Sequence, residues 1–411
     1  MFSFTLFHAQ KNPLQWMYRV VPVQIQCKGN KDMDKNTLFS SFGKWVMPIN
    51  FLTLHEQVQT IQQDKYTKKL TTRAYLLLFL HAHLHEKESL RAISDSLLDE
   101  EFQKALGLDS ISASQLSRKN NAVDPTLLAH VFIHLVQQIR CHQQGSRSTG
   151  LSLKIIDSTT VPLCLTHYRW ATFRKTKAGV KLHVRLVFMD KNTVYPEKAM
   201  VTPARVHDRT QLEVLVDEKE AMYVFDRGYV DYERFDRFCD EGLFFASRLK
   251  KNAVIRVLQT FSVSEDSPIL SDAMVVLGTP QKRTEHVYRL IEIHDSQGHL
   301  IRIVTNRFDL SAEEIGEIYR SRWMIELFFK WLKQHVCIKT FYGTSERAVQ
   351  NQIFMALIAF CLLVLVQLET CAKQSLLQLK RWLKALLWQP YEKWFRRIQF
   401  QGMKSARGTP V

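Results

Sequence analysis

Two aspartates stand where a metal-dependent active site could form. Asp157 ends the β-rich run at 151–157, and Asp226 directly follows the apolar run at 221–225. A carboxylate at the carboxyl end of a buried parallel strand lies at the crevice where α/β sheets bind ligands. If the two strands are neighbours, the acids converge and need a shared proton or a cation, and oxygen ligands are typical of Mg²⁺. Taken singly, each aspartate is more typical of a turn or a helix N-cap.

A third acid lies on a helix with a narrow polar stripe. At 100° per residue, a helix places five polar side chains within about 80° of one another, and these are Tyr319, Arg322, Glu326, Lys330 and Lys333. The rest of the circumference is apolar, which predicts that most of the helix is buried. The stripe is either a solvent-facing ladder of i,i+4 ion pairs or a metal-binding glutamate flanked by cations that hold phosphates. The apolar remainder favours the second interpretation.

A helical pattern precedes these acids in the chain. It runs from about 50 to 145 and includes a short helix that carries Arg118 and Lys119 between two others. That layout is typical of a helix-turn-helix DNA reader, and a surface helix of a bundle explains it equally well. The polar, small-residue-rich segment 141–150 predicts a linker.

After the linker the hydrophobic period changes to that of strands. Three short strands, a helix, a strand and a helix follow in that order, which predicts an α/β (α+β) fold with parallel pairing across the crossover. Short strands return from 243 to 305, and two long helical stretches follow. The predicted elements are strands at 151–157, 180–189, 193–201 and 221–225, a helix at 208–216, and helices at 311–333 and 346–371.

The charge of the chain indicates its kind of partner. The 411 residues carry a net charge of +16, which favours a polyanion, with nucleic acid first and anionic membrane second. Residues 158–189 hold six basic residues and no acid, and residues 372–411 hold nine basic residues and one acid, Glu392. Aromatic residues among the latter suit phosphate contact with base stacking. An amphipathic helix docked through its apolar face is the alternative there.

Cysteine usage and hydropathy predict the cellular compartment and whether the chain binds a membrane. Seven cysteines without a C-x-x-C pair argue against a disulfide framework and suit a reducing cytoplasm. The longest apolar run, 353–366, has 14 residues, whereas a membrane span needs about 20. We therefore expect a buried core helix there and no membrane partner.

Several motifs together resemble a known family. The spacing Tyr319-x2-Arg322-x3-Glu326-x6-Lys333 resembles the Y-R-E-K motif of DDE transposases of bacterial insertion sequences, the insertion-sequence-four family. IIDST at 155–159 and YVFDRGY at 223–229 resemble the two aspartate motifs of that family, and FRKTKAGVKLH at 173–183 resembles the strand region after the first. The resemblance extends over nearly the whole chain.

This resemblance implies a fold and a chemistry. The fold is an RNase H-like core with a β-rich insertion, preceded by a helical N-terminal domain. Asp157, Asp226 and Glu326 would be the catalytic and metal-binding triad, with two Mg²⁺ ions or Mn²⁺ as substitute. The expected partners are double-stranded DNA, as transposon ends and target, and a second copy in a homodimer, in the bacterial cytoplasm at the nucleoid. The expected DNA-binding residues are Tyr319, Arg322, Lys330, Lys333, Arg174, Lys175, Lys177, Lys181, Arg227, Arg118 and Lys119.

The predicted organisation has six parts and leaves rival functions open. A catalytically inactive, DNA-binding relative and an RNase H-like nuclease are the two alternatives to a transposase. The parts are an N-terminal extension at 1–32, a helical DNA-binding domain at 33–145, a first core part at 150–242, a β-rich insertion at 243–305, a second core part with the catalytic Glu helix at 306–371, and a basic C-terminal region at 372–411.

Overall fold

The structure, a computed structural model, describes residues 39–144, 152–190, 193–295, 297–335 and 341–406. The predicted extension at 1–32 and linker residues 145–150 lie outside the described residues.

In the part of the N-terminal region that the structure describes, the chain forms seven α-helices, as the apolar periodicity predicts. Most begin at a polar residue whose side chain accepts a hydrogen bond from the first turn, which satisfies amide groups that the helix leaves unpaired. The long seventh helix instead begins at Pro125, a residue favoured at that position. The helices are α1 (Ser41–Val46), α2 (Phe51–Thr60), α3 (Thr72–His85), α4 (Leu90–Ser94), α5 (Glu100–Leu106), α6 (Ala113–Ala122) and α7 (Pro125–Gln144).

Five strands form the core sheet, in the order β4-β3-β1-β5-β6. Strand β3 pairs antiparallel with both β1 and β4, and β5 and β6 run parallel to β1. This is the RNase H-like topology that the resemblance implies. A short strand, β2 (Thr172–Arg174), pairs antiparallel with the beginning of β3. The core strands are β1 (Ser152–Leu163), β3 (Lys177–Asp190), β4 (Thr193–Pro203), β5 (Ala221–Phe225) and β6 (Phe244–Arg248), with helices α8 (Leu212–Leu215) and α9 (Tyr232–Asp240) between them.

The β-rich insertion continues the core sheet instead of forming a separate barrel. Strand β6 pairs parallel with β5, so it belongs to the core, and the insertion begins after Arg248 rather than at 243. Its last strand pairs antiparallel with β6, which gives one sheet of 11 strands. The insertion strands are β7 (Ile255–Thr260), β8 (Ile269–Thr279), β9 (Lys282–Arg283), β10 (Tyr288–His294) and β11 (Leu300–Thr305).

The C-terminal helices pack against the N-terminal helices. Helix α12 packs against α3 and α7, so residues from both ends of the chain share one hydrophobic core. By length and composition α12 could cross a membrane, but 94% of its apolar window is buried inside the protein. Its apolar composition therefore follows from packing. The helices are α10 (Ala312–Arg320), α11 (Trp323–His335), α12 (Glu346–Glu369), α13 (Leu376–Ala385) and α14 (Tyr391–Ala406).

A buried ion network joins α7 to the core sheet. Arg185 of β3 is 1% exposed, and its guanidinium lies 2.7 Å from Glu197, 2.8 Å from Glu218 and 2.5 Å from Asp217. Lys154 of β1 shares the two glutamates, and Arg140 of α7 reaches both at 3.5 Å. Arg185 belongs to the basic stretch 158–189, but its charge is neutralised by acids inside the protein and is unavailable to DNA.

We predict that Arg185→Met lowers the free energy of unfolding by about 3–5 kcal/mol, because three carboxylates lose their shared buried counter-charge. Urea unfolding followed by circular dichroism measures the change. Arg320→Met is the matched control, since Arg320 and its partner Glu317 are both largely exposed and such a pair contributes less than about 1 kcal/mol. Equal effects of the two substitutions would contradict a stabilising role of the network.

Candidate active site

The first two acids emerge at one edge of the sheet. The parallel pairing of β1 with β5 ends at Ile156 and Phe225, so Asp157 and Asp226 are the next residue on each strand. Asp157 does not end its strand as the sequence predicts, because β1 continues to Leu163 in antiparallel pairing with β3. Within the described residues, the Asp226 side chain makes no capping hydrogen bond to the turn that follows. Neither aspartate therefore serves as a helix cap.

Helix α11 brings the third acid to this edge. The continuous helix predicted for 311–333 is broken at Ser321 and Arg322, where the Arg322 amide donates to the Tyr319 carbonyl at 3.1 Å. Such a tight turn redirects the helix axis. Trp323 and Leu327 are 57% and 44% exposed, so α11 is less buried than its composition predicts.

Arg322 lies between the acids. Its Nη2 donates to Glu326 Oε1 at 2.6 Å, and its Nη1 lies 3.5 Å from Asp157 Oδ2. Asp226 is close enough to act on Arg322 electrostatically. One guanidinium thus faces carboxylates from a strand, a turn and a helix that are distant in sequence.

Burial dominates the electrostatics of Asp157. It raises the pKa of this carboxyl to about 6, and the neighbouring charges of Asp226 and Asp208 act in the same direction. The Ser158 amide, which donates to Asp157 Oδ1 at 2.7 Å, and the Arg322 charge oppose the rise. Tyr319 is buried with its hydroxyl beside Arg322, so here it contacts the site arginine and not solvent.

The three acids suit a hard divalent cation by donor type, since all contribute carboxylate oxygens. Among the described residues, no three acidic, histidine or cysteine side chains stand close enough to hold an ion as they are placed. The Arg322 guanidinium instead supplies positive charge between Asp157 and Glu326. The site therefore fits a metal by donor chemistry and by its need for a cation.

A second layer of polar residues supports strand β1 behind the acids. Ser158 Oγ donates to Asp208 Oδ1 at 2.6 Å, and Lys181 Nζ lies 3.1 Å from the same oxygen. On the face of Asp157, Lys333 Nζ donates to Thr159 Oγ1 at 2.6 Å. From the sequence, Lys181 and Lys333 are predicted to bind DNA and Asp208 is interpreted as a helix N-cap, whereas the structure places Asp208 against Ser158 and Lys181. The only sequence signal of Asp208 was a lone acid at the start of a short helix.

The remaining predicted DNA-binding residues divide by exposure. Lys119 is 9% exposed and pairs with Asp64 of the N-terminal region, which makes it a structural cation. The others expose their side chains to solvent, and these are Arg174, Lys175 and Lys177 at the β2–β3 turn, Arg227 after Asp226, Arg118 on α6 and Lys330 on α11.

Comparison with known proteins identifies the class. The family described as "Transposase DDE domain" matches residues 148–362, which include all three acids and Arg322. Residues 37–109 match a second family, described as a domain of unknown function (DUF4372). The chain belongs to the DDE-domain transposases, a family whose members cleave DNA and transfer strands.

Individual relatives carry the same description. The chain is 32% identical over 320 residues to a probable transposase for insertion sequence element IS5377 of Geobacillus stearothermophilus, across 76% of this chain and 82% of that protein. It is 28% identical to a putative transposase for element IS4SA of Synechocystis, across 71% and 82%. A piggyBac transposase synaptic complex with hairpin DNA aligns at 9% identity over 91% of this chain and 83% of that one, with a TM-score of 0.47.

We predict that Asp157→Asn stabilises the metal-free protein at pH 8. The folded-state pKa near 6 lies above the ordinary value of 3.8, so above pH 6 the folded chain bears the cost of ionising this group. That cost is on the order of 2–3 kcal/mol. It shrinks as pH falls through 6 and vanishes below about 4, where the carboxyl is protonated in both states.

Thermal unfolding in EDTA at pH 8 and pH 4.5 measures this difference. The substitution should raise the melting temperature at pH 8 and raise it by only about a third as much at pH 4.5, where the carboxyl is protonated in the folded chain but still mostly ionised in the unfolded one. A lower melting temperature at pH 8 would show that the Arg322 contact outweighs the burial of the charge.

Proposed function

We propose that this transposase binds the terminal inverted repeats of an insertion sequence, hydrolyses the phosphodiester at each end and joins the freed 3′ ends to target DNA. The observation that supports this most directly is that Arg322 lies between Asp157 of β1 and Glu326 of α11, with Asp226 directly after the strand that pairs parallel with β1. We further propose membership of the insertion-sequence-four family, action as a homodimer that pairs two ends, and a place in the bacterial cytoplasm at the nucleoid.

Asp157, Asp226 and Glu326 are the residues that would hold two Mg²⁺ ions, or Mn²⁺ in their place. When bound, such ions lower the pKa of water and stabilise the attacking and leaving oxygens of an in-line displacement. In the metal-free chain, the Arg322 pair keeps Glu326 turned toward the aspartates. Acids brought this near to one another are stabilised by positive charge between them.

Arg322 has a second use once cations occupy the acids. Its guanidinium offers several N–H donors in a fixed plane, and phosphate accepts such donors in pairs. We infer that Arg322 turns from the carboxylates to the DNA phosphate beside the scissile bond. Lys333, already hydrogen-bonded to Thr159 on β1, keeps α11 against the strand that carries Asp157.

Exposed cations on α11 and at the β2–β3 turn supply the backbone contacts. Lys330 lies one turn beyond Glu326 on α11, whereas Arg174, Lys175 and Lys177 are exposed at the far end of β3 from the residue that pairs with Asp157. Contacts of this kind position a duplex without reading its sequence. Sequence recognition of the ends is assigned to the helical N-terminal region, where Arg118 is the exposed cation of α6.

The triad is tested with Asp157→Ala, Asp226→Ala and Glu326→Ala, each assayed separately. The substrate is a duplex with the short inverted repeats that bracket the gene, in the presence of Mg²⁺ or Mn²⁺. We expect each substitution to lower cleavage at least about 1000-fold, because the metal ions that would stabilise the charge on the reacting phosphate lose a ligand. Circular dichroism should show an intact fold.

Glu317→Ala is the matched control, because Glu317 is an exposed acid on the neighbouring helix α10. It should cleave like the wild type. Full cleavage by any triad variant removes that residue from the site, and a wild type that binds ends without cleaving them favours the inactive DNA-binding alternative.

We predict that Lys330→Gln weakens binding to end DNA and makes its salt dependence shallower by about one unit of slope. One phosphate contact contributes about that much through counterion release. Fluorescence anisotropy across a salt series measures both. Lys219→Gln, which removes an exposed lysine just before β5, at the opposite end of that strand from Asp226, should change neither quantity, and an unaltered slope in Lys330→Gln would exclude the contact.

A further inference from the structure

A second basic surface lies on the opposite side of the acids from α11. It is a depression of about 420 Å³ lined by Arg227, Gly228, Lys250, Lys251 and Asn252, and we refer to it as the basic depression. Helix α11 contacts β1, whereas the basic depression is built by the turns after β5 and β6. In the sheet order β1-β5-β6, Asp226 therefore lies between the two surfaces.

The register of the sheet fixes these residues beside the active site. Phe225 of β5 is opposite Ser247 of β6 in a parallel pair, so both chains leave the sheet at the edge that carries Asp226. Lys250 and Lys251 follow Ser247 by three and four residues. The Ala253 amide donates to the Lys250 carbonyl at 3.1 Å. This bond closes a turn that holds the two lysines at the rim of the basic depression.

The lining is suited to a phosphate backbone. It contains three exposed cations and no acid, and an added Cβ at Gly228 would meet no atom within 4 Å. The depression is thus open enough for a bulky polyanion to approach. Phosphate contacts by lysine and arginine are the main source of sequence-independent DNA affinity.

Strand transfer requires two DNA segments at one set of acids. The freed 3′-OH must attack a phosphate of the second duplex while the first is still held. Lys330 serves the first duplex in the proposed function, and its helix α11 packs against β1. We propose that the basic depression binds the phosphate backbone of the target DNA, an inference that rests on the proposed function.

Lys250→Gln with Lys251→Gln tests this assignment in the full-length protein. One assay follows joining of a pre-cleaved end, with its 3′-OH free, to increasing amounts of plasmid. The second follows hydrolytic cleavage of an intact end. We expect joining at low plasmid concentration to fall at least about tenfold and to recover at high concentration, while cleavage changes less than about twofold.

A binding assay keeps the test independent of catalysis. Anisotropy with a duplex that lacks the element's ends should show a salt slope shallower by about 2, since two phosphate contacts are lost. Lys219→Gln with Arg237→Gln, two exposed cations outside both the N-terminal helices and the basic depression, is the control of equal charge change. It should leave joining and binding unaltered.

The outcomes separate the two proposals. A parallel loss of cleavage and joining would place the end DNA in the basic depression and overturn the target assignment. Unchanged joining and binding in the variant would also overturn the target assignment. If the wild type neither cleaves nor joins, the proposed function fails. The binding assay then still decides whether the basic depression holds a duplex.

Discussion

Burial of carboxylate charge, together with repulsion between neighbouring acids, is the constraint on which this site depends. Acids that converge in a partly buried volume need a proton or a cation, and burial is the main cause of the raised pKa of Asp157, with Asp226 and Asp208 acting in the same direction. Arg322 relieves part of that repulsion by lying between Asp157 and Glu326. The same residue can release the acids when other cations arrive, since its guanidinium finds equivalent partners in phosphate oxygens.

The fold positions this cluster through packing away from the acids. Parallel register between β1 and β5 brings Asp157 and Asp226 to one edge. Helix α11 is held by aromatic contacts with the buried helix α12, where Phe360 meets the Phe328 and Trp331 rings edge-on at 5.0 Å and 4.9 Å. Because α12 also packs on α3 and α7, the N-terminal helices and the position of Glu326 share one core.

Sequence reasoning succeeded where a pattern is local. The strands before Asp157 and Asp226, the strand-rich insertion and the helix of Glu326 follow from periodicity and from apolar runs. It missed what depends on distant partners. The helix breaks at Ser321 and Arg322, where the Arg322 guanidinium contacts two acids distant from each other in sequence, and the length of β1 past Asp157 comes from pairing with β3. The assignment of β6 to the core is likewise visible only in its pairing with β5.

The positive charge shows why composition alone assigns too much to DNA. Arg185, Lys181 and Lys119 all pair with internal acids, and each would lose that partner by reaching outward. A buried cation left by its carboxylate costs several kcal/mol, whereas an exposed cation gains phosphate contact for little desolvation. Exposure therefore decides which cations can serve DNA. By that criterion Lys330 on α11 and Arg227 after β5 are available to DNA, and their placement on two different elements is the basis for proposing that the site holds two duplexes.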